Sequence, residues 1–197
     1  MTLFFSNVRR LKGAPAHPSF YRSLWLHALL LLCLLWQMPI SSAKGVYLAP
    51  RDFLQEVFDD RPPPTQTLWI TKEIGQGAEE ILGHPLRVMR VHYWAQGKRS
   101  VWILEEIGKE QPITVGIVIK AGRVAQMRVL IYRESRGDEV RQPFFLDQFK
   151  GATLQDGEEL DRTIDGVSGA TLSTRALTKL ARLALFLDRQ RNAHGSP

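Results

Sequence analysis

The alternation of apolar and polar residues predicts a group of strands in the middle of the chain. Four segments rich in β-branched and aromatic residues are separated by short turns, at 86–94, 100–107, 112–120 and 123–135. Such runs are typical of an antiparallel meander. Val115, Ile117 and Ile119 share one face of their strand, and we expect Val124 and Leu130 to share a face of the next one. One side of this sheet should therefore pack on helices.

Apolar residues at helical spacing predict helices on both sides of these strands. The predicted helices cover residues 50–58, 71–82, 143–149 and 174–191. The last is the clearest, because its leucines form a continuous apolar face. The prediction of the second helix is weaker, since Gly75 and Gly77 disfavour a helix. Between the first two helices, three consecutive prolines make 59–66 a loop. The pattern predicts an α+β fold, with an antiparallel sheet packed by helices in a single domain.

The first 43 residues follow a different pattern. They contain four basic and no acidic residues, an apolar run at 24–36, and small residues ending at Ala43. This order is typical of an export signal, and we predict cleavage after Ala43. An uncleaved membrane anchor is the alternative, although the run is shorter than the roughly 20 apolar residues of a spanning helix. Either way, we expect the rest of the chain in the periplasm or another exported location.

Charge and cysteine content narrow the function. The chain has 26 basic and 20 acidic residues, but without the leader 22 basic residues remain, a net charge of +2. This scattered charge gives no reason to expect a nucleic-acid partner. The single cysteine, Cys33, lies in the leader, which excludes cysteine-ligated iron–sulfur, zinc and c-type haem sites from the remainder. His84, His92 and His194 lack metal-ligand spacing, so we expect no metal site.

The segment DGVSGATLST, residues 165–174, precedes the last predicted helix and is rich in hydroxyl groups and glycine. Its hydroxyl and glycine residues are Ser168, Thr171, Ser173, Thr174, Gly166 and Gly169. The amino terminus of a helix directs unpaired N–H groups and a positive dipole end toward such a turn. The segment therefore suits an anion, and a phosphate in particular. Helix capping or a turn would explain each residue alone, but capping does not require the complete string.

The string DGVSGAT resembles the flavin-attachment motif of the FMN-binding domain family. That family includes one component of the sodium-translocating NADH:quinone reductase and one component of the Rnf electron-transport complex. In its motif the last threonine carries FMN through a phosphoester, installed by a flavin transferase that uses FAD. The match over 165–173 implies covalent FMN on Thr171. The cofactor-binding residues that the resemblance implies are Asp165, Gly166, Ser168, Gly169, Ala170, Thr171 and Ser173.

The resemblance extends more weakly over the second half of the chain. Residues 114–135 are similar to the paired strands of the family, and 145–151 to a short element before the motif. After Glu134 the family often has a glycine-rich loop, where this chain has Ser135, Arg136, Gly137 and Asp138. The predicted domains are the leader, 1–43, an unassigned part, 44–111, an FMN-binding core, 112–191, and a tail, 192–197.

The resemblance implies an exported flavoprotein that relays electrons, with a flavin transferase and a membrane redox partner. An electron carrier fits better than a complete enzyme, because no nicotinamide or substrate motif is found. Two alternatives stay open, a binding or sensing module without redox function and a flavin-dependent reductase of a small exported substrate. The aromatic residues that could flank the flavin ring are Tyr93, Trp94, Trp102 and Tyr132, but aromatic residues on strands are usually core.

Overall fold

A computed structural model describes residues 45–193. The predictions about the leader, Cys33 and His194 lie outside these residues. Within the part of the chain that is described, no helix is long and apolar enough to cross a membrane. The described residues form an α+β fold, as the sequence predicts.

A five-stranded antiparallel sheet forms the centre of the fold. Its strands are β1 (Gln66–Trp69), β2 (Arg90–Gln96), β3 (Arg99–Ile107), β4 (Pro112–Lys120) and β5 (Arg123–Tyr132). They lie in the order β1-β2-β3-β4-β5, so each strand pairs with its neighbour in the chain. The predicted meander of β2 to β5 is confirmed. Strand β1 adds an edge strand to this meander, and it begins at Gln66, the last residue of the segment predicted to be a loop.

The prediction that Val124 and Leu130 share one face of β5 is wrong, because the β4–β5 pair contains two register shifts. The shifts lie between Thr114 and Val115 and between Val118 and Ile119. Each places an extra residue in one strand and moves the following side chains to the opposite face. Val124 and Leu130 consequently belong to different core clusters, on opposite faces of the sheet.

Among residues 45–193, four α-helices accompany the sheet. They are α1 (Pro50–Val57), α2 (Lys72–Leu82), α3 (Pro143–Leu146) and α4 (Thr171–Ala193), with 3-10 turns at Asp138–Arg141 and Asp147–Phe149. The Thr71 side chain accepts a hydrogen bond from the Ile74 N–H and caps α2. Helix α4 begins at Thr171, three residues earlier than predicted, so the last threonine of the DGVSGAT string is its first residue.

Both faces of the sheet are covered by helices. On one face α2 and α4 pack over the larger core cluster, which contains Val115, Ile117 and Ile119. On the other face α1 packs its Phe53 ring directly over Gly116 of β4, where a Cβ would overlap the ring. The long helix α4 spans the larger cluster, and its amino terminus lies beside the end of β5. This arrangement positions the DGVSGAT string at one end of the sheet.

Candidate functional site

The DGVSGAT string forms a loop that leads into α4, and Gln148 anchors its start. The Asp165 N–H donates to the Gln148 side-chain oxygen over 2.7 Å, and the Gln148 amide donates to the Asp165 carbonyl over 3.3 Å. Farther along, the Ala170 N–H donates to the Val167 carbonyl over 2.9 Å, which closes a turn. Gly169 has φ +80° in this turn, a conformation that favours glycine.

Ala170 packs against the loop that follows β5. It is buried, and a Cβ built on Gly137 would lie 3.0 Å from the Ala170 Cβ and 3.0 Å from the Tyr132 hydroxyl oxygen. Gly137 also has φ +82°. A small residue at each position therefore lets the start of α4 approach the end of β5.

Thr171 is exposed at the first position of α4. The first N–H groups of a helix have no carbonyl partner within the helix, and they carry the positive end of its dipole. The exposed hydroxyl is thus next to a group of backbone donors that favours an anion.

Ser173 is buried two residues later and takes part in a short hydrogen-bond chain. The Tyr132 hydroxyl donates to the Arg136 carbonyl over 2.6 Å, so its single hydrogen is used there. The Ser173 hydroxyl, 2.9 Å away, therefore donates to the Tyr132 oxygen. Burial raises the pKa of Tyr132, the Ser173 hydrogen bond opposes this, and the charge of Glu134 adds to the increase. Tyr132 accordingly stays protonated and joins β5, the following loop and α4.

Glu134 fixes the β3–β4 loop beside the same helix end. One of its carboxylate oxygens accepts hydrogen bonds from three successive backbone N–H groups, those of Lys109, Glu110 (2.7 Å) and Gln111 (3.0 Å). Partial burial acts to raise the pKa of Glu134, but these three bonds outweigh it and hold that pKa below its usual value. Gly108 leaves room for the carboxylate, because a Cβ there would lie 2.9 Å from that oxygen.

These elements enclose a cleft of about 590 Å³ at the amino terminus of α4. Its lining residues are Lys109, Glu110, Glu134, Ser135, Arg136, Gly169, Ala170, Thr171, Leu172 and Ser173. Four of the residues predicted for the site thus lie in one wall. Asp165, Gly166 and Ser168 are exposed on the loop and are not part of that wall. The opposite wall was missed by sequence reasoning, although Glu134 and Ser135 end the segment that resembles the family's paired strands.

The aromatic residues considered for the flavin ring, and His84, lie in or beside the hydrophobic core. Tyr93, Trp102 and Tyr132 are buried in the larger core cluster, and Trp94 packs against the smaller one. The His84 ring lies 3.0 Å from a Glu106 oxygen, at the edge of the core. Across residues 45–193, no group of histidine, cysteine and acidic residues could hold a metal ion.

Comparison with protein families identifies the part of the chain that forms the cleft. A family model described as "FMN-binding domain" matches residues 108–185. The match begins in the loop held by Glu134, includes β4, β5 and the DGVSGAT string, and ends in α4. No curated protein matches the chain.

Proposed function

We propose that this chain is an exported flavoprotein that relays electrons through FMN bound covalently to Thr171, because the family model for the FMN-binding domain matches residues 108–185. FMN supplies one- or two-electron transfer at its isoalloxazine ring, which a phosphoester leaves free to react. The chain would supply the attachment oxygen, the anion-binding helix end and the cleft beside it.

The positions of four hydroxyl groups carry the proposal for Thr171. Ser168 is exposed but lies outside the cleft wall, and Thr174 is buried outside it. Ser173 lines the cleft, but it is buried and its hydrogen is donated to Tyr132. Thr171 alone among these four is both exposed and part of the cleft wall. Ser135 shares both properties, but it lies on the loop after β5, whereas Thr171 is the first residue of α4. A transferase could reach it without local unfolding.

The first turn of α4 fits the phosphate of such a group. Attachment leaves one negative charge on the phosphate, and backbone N–H groups at the helix end would hold it, a charge-assisted interaction. Since Ser173 already donates to Tyr132, we assign these contacts to the backbone and not to the Ser173 hydroxyl. The cleft volume is within the about 300–1,000 Å³ that small-molecule and cofactor sites span.

The maturation step would need a flavin transferase that uses FAD. The Thr171 oxygen forms a bond to the phosphorus of the FMN half and loses its proton, while the pyrophosphate bond breaks and AMP leaves. Asp165 lies outside the cleft wall, with its backbone anchored by Gln148. We propose that its exposed carboxylate serves the transferase, because a second negative charge would repel the finished phosphate. A membrane redox partner would supply or receive the electrons.

The first test is the intact mass of the denatured protein, produced with and without a flavin transferase. We expect a gain equal to FMN less one water, present only with the transferase and absent in Thr171→Ala. Thr163→Ala, which changes an exposed threonine of the same connecting segment, should keep the full gain. The same spectrum reports whether residues 1–43 have been removed.

An unmodified wild-type chain, under conditions where a known acceptor protein is flavinylated, would contradict the proposal and favour a binding module. A gain retained by Thr171→Ala would move the attachment to another residue. Steady turnover of a soluble acceptor by the isolated flavinylated protein would replace the relay with a flavin-dependent reductase.

A further inference from the structure

We infer that the attached flavin docks in the cleft instead of moving freely on its ribityl arm, and that Arg136 is the positioning residue that holds it there. The inference rests on the proposed function, since it concerns the flavin on Thr171. It assigns to Arg136 a contact with the phosphate oxygens that the ester leaves charged. It predicts a defined ring position beside the helix end.

The backbone of Arg136 is fixed beside the attachment residue. Its carbonyl accepts the Tyr132 hydroxyl hydrogen over 2.6 Å, and that same hydroxyl accepts from Ser173 over 2.9 Å. The next residue, Gly137, packs directly against Ala170. The Arg136 backbone is therefore linked to Ala170 through its neighbour Gly137 and to Ser173 through the Tyr132 hydroxyl, while its side chain is exposed.

The charges around the cleft leave the Arg136 guanidinium available. The Glu134 carboxylate is used by the β3–β4 loop, Glu110 pairs with Lys109 at 3.2 Å, and Asp138 pairs with Arg141 at 3.0 Å. Among residues 45–193, no carboxylate lies within 4.0 Å of the Arg136 guanidinium. A planar guanidinium without an acidic partner suits two oxygens of a phosphate.

The cleft also offers an apolar surface for the ring. Leu172 follows Thr171, lines the cleft and is 42% exposed, so its apolar side chain faces water instead of the core. The ring of a flavin is large and mostly apolar, and covering Leu172 with it would remove apolar area from water. Arg136 and Leu172 would thus hold the two ends of the cofactor, the phosphate and the ring.

The test compares flavinylated proteins whose mass confirms full attachment. We expect Arg136→Ala to lower the ratio of docked to free flavin about threefold, the effect of an exposed charge pair. The readouts are the fluorescence anisotropy of the flavin and its visible circular dichroism, which both fall when the ring moves freely. Arg136→Lys should keep part of both signals. The control is Arg175→Ala, which removes an exposed arginine of α4 that does not line the cleft, and it should leave both signals unchanged.

Salt provides a second measure on the same samples. The wild-type signals should fall as ionic strength rises, because salt screens the contact between Arg136 and the phosphate. Those of Arg136→Ala should fall less, since only the contact with the helix end remains to be screened. Equal signals in the wild type and Arg136→Ala at low salt would overturn the inference while leaving the attachment established. Absence of the mass gain in every variant would instead refute the proposed function.

Discussion

At the scale of single residues, Tyr132 shows what a sequence pattern can and cannot predict. Its position on a strand predicts a buried ring, and the ring is buried. Its hydroxyl was not predicted to take part in the site, because alternation along a strand reports the face of a side chain and not the partner of its polar end. That hydroxyl joins Arg136 and Ser173, which are separated in the chain by α3 and the loop before α4.

Tyr132→Phe should therefore lower the free energy of unfolding by more than the loss of an exposed tyrosine hydroxyl does. The change leaves the Arg136 carbonyl and the Ser173 hydroxyl without their partner, and we expect the free energy of unfolding to fall by about 1–3 kcal/mol. Urea unfolding of the unflavinylated protein measures it. Tyr47→Phe is the control, since Tyr47 is 49% exposed and its hydroxyl can exchange partners with water. Equal losses in the two variants would show that the Tyr132 hydroxyl contributes nothing special.

At the scale of elements, the sequence predicts most helices and strands but misplaces ends that depend on distant contacts. The apolar face of α4 becomes regular only after Thr174, so its pattern predicts a later start than Thr171. The first turn depends instead on the packing of Ala170 against Gly137, which no local pattern reports. Strand β1 was missed because it is short, follows three prolines and buries only Leu68.

Helix α2 provides a paired test of element packing. Gly75 and Gly77 both disfavour a helix, but a Cβ on Gly75 would lie 3.7 Å from Ile70, whereas one on Gly77 would lie 2.6 Å from the Phe186 ring of α4. We expect Gly75→Ala to stabilise the fold by about 0.5–1 kcal/mol through helix propensity. Gly77→Ala should destabilise it by about 1–3 kcal/mol, because the two helices must separate.

Thermal and urea unfolding of both variants, and of Gly77→Ala combined with Phe186→Leu, measure these effects. The smaller side chain at 186 should make Gly77→Ala less costly than it is beside phenylalanine. A Gly77→Ala protein as stable as Gly75→Ala would mean that the helix contact is not tight.

At the scale of the whole molecule, the fold class and one wall of the cleft could be predicted from the sequence, but not the second wall. The DGVSGAT string is contiguous, so its pattern is visible in the chain. Lys109 and Glu110 lie far away in the sequence and reach the cleft only because β4 and β5 return to it, where Glu134 holds their loop. Such a site depends on register and on turn lengths, which alternation alone does not determine.

Two carboxylates make the stability of the whole domain depend on acidity. Three backbone N–H groups outweigh partial burial and lower the pKa of Glu134 from 4.5, and a hydrogen bond from Arg162, aided by Thr153, lowers the pKa of Asp161 well below 3.8. In acid the unfolded chain therefore binds protons more readily than the folded one. The stability that these groups contribute is present above their unfolded pKa values and is lost as the pH falls through the folded values.

We expect the free energy of unfolding to fall between about pH 5 and about pH 2, and the double variant Glu134→Gln with Asp161→Asn to show a smaller fall. Urea unfolding across this range, compared with about pH 7, measures both curves. The variant should be less stable than the wild type near neutrality, and the two curves should converge in acid. The pH dependence of the difference between the two curves is the control. If the substitutions only disturbed packing, the curves would be separated by the same amount at every pH. A constant separation would mean that the two carboxylates stabilise the fold through contacts that do not depend on their charge.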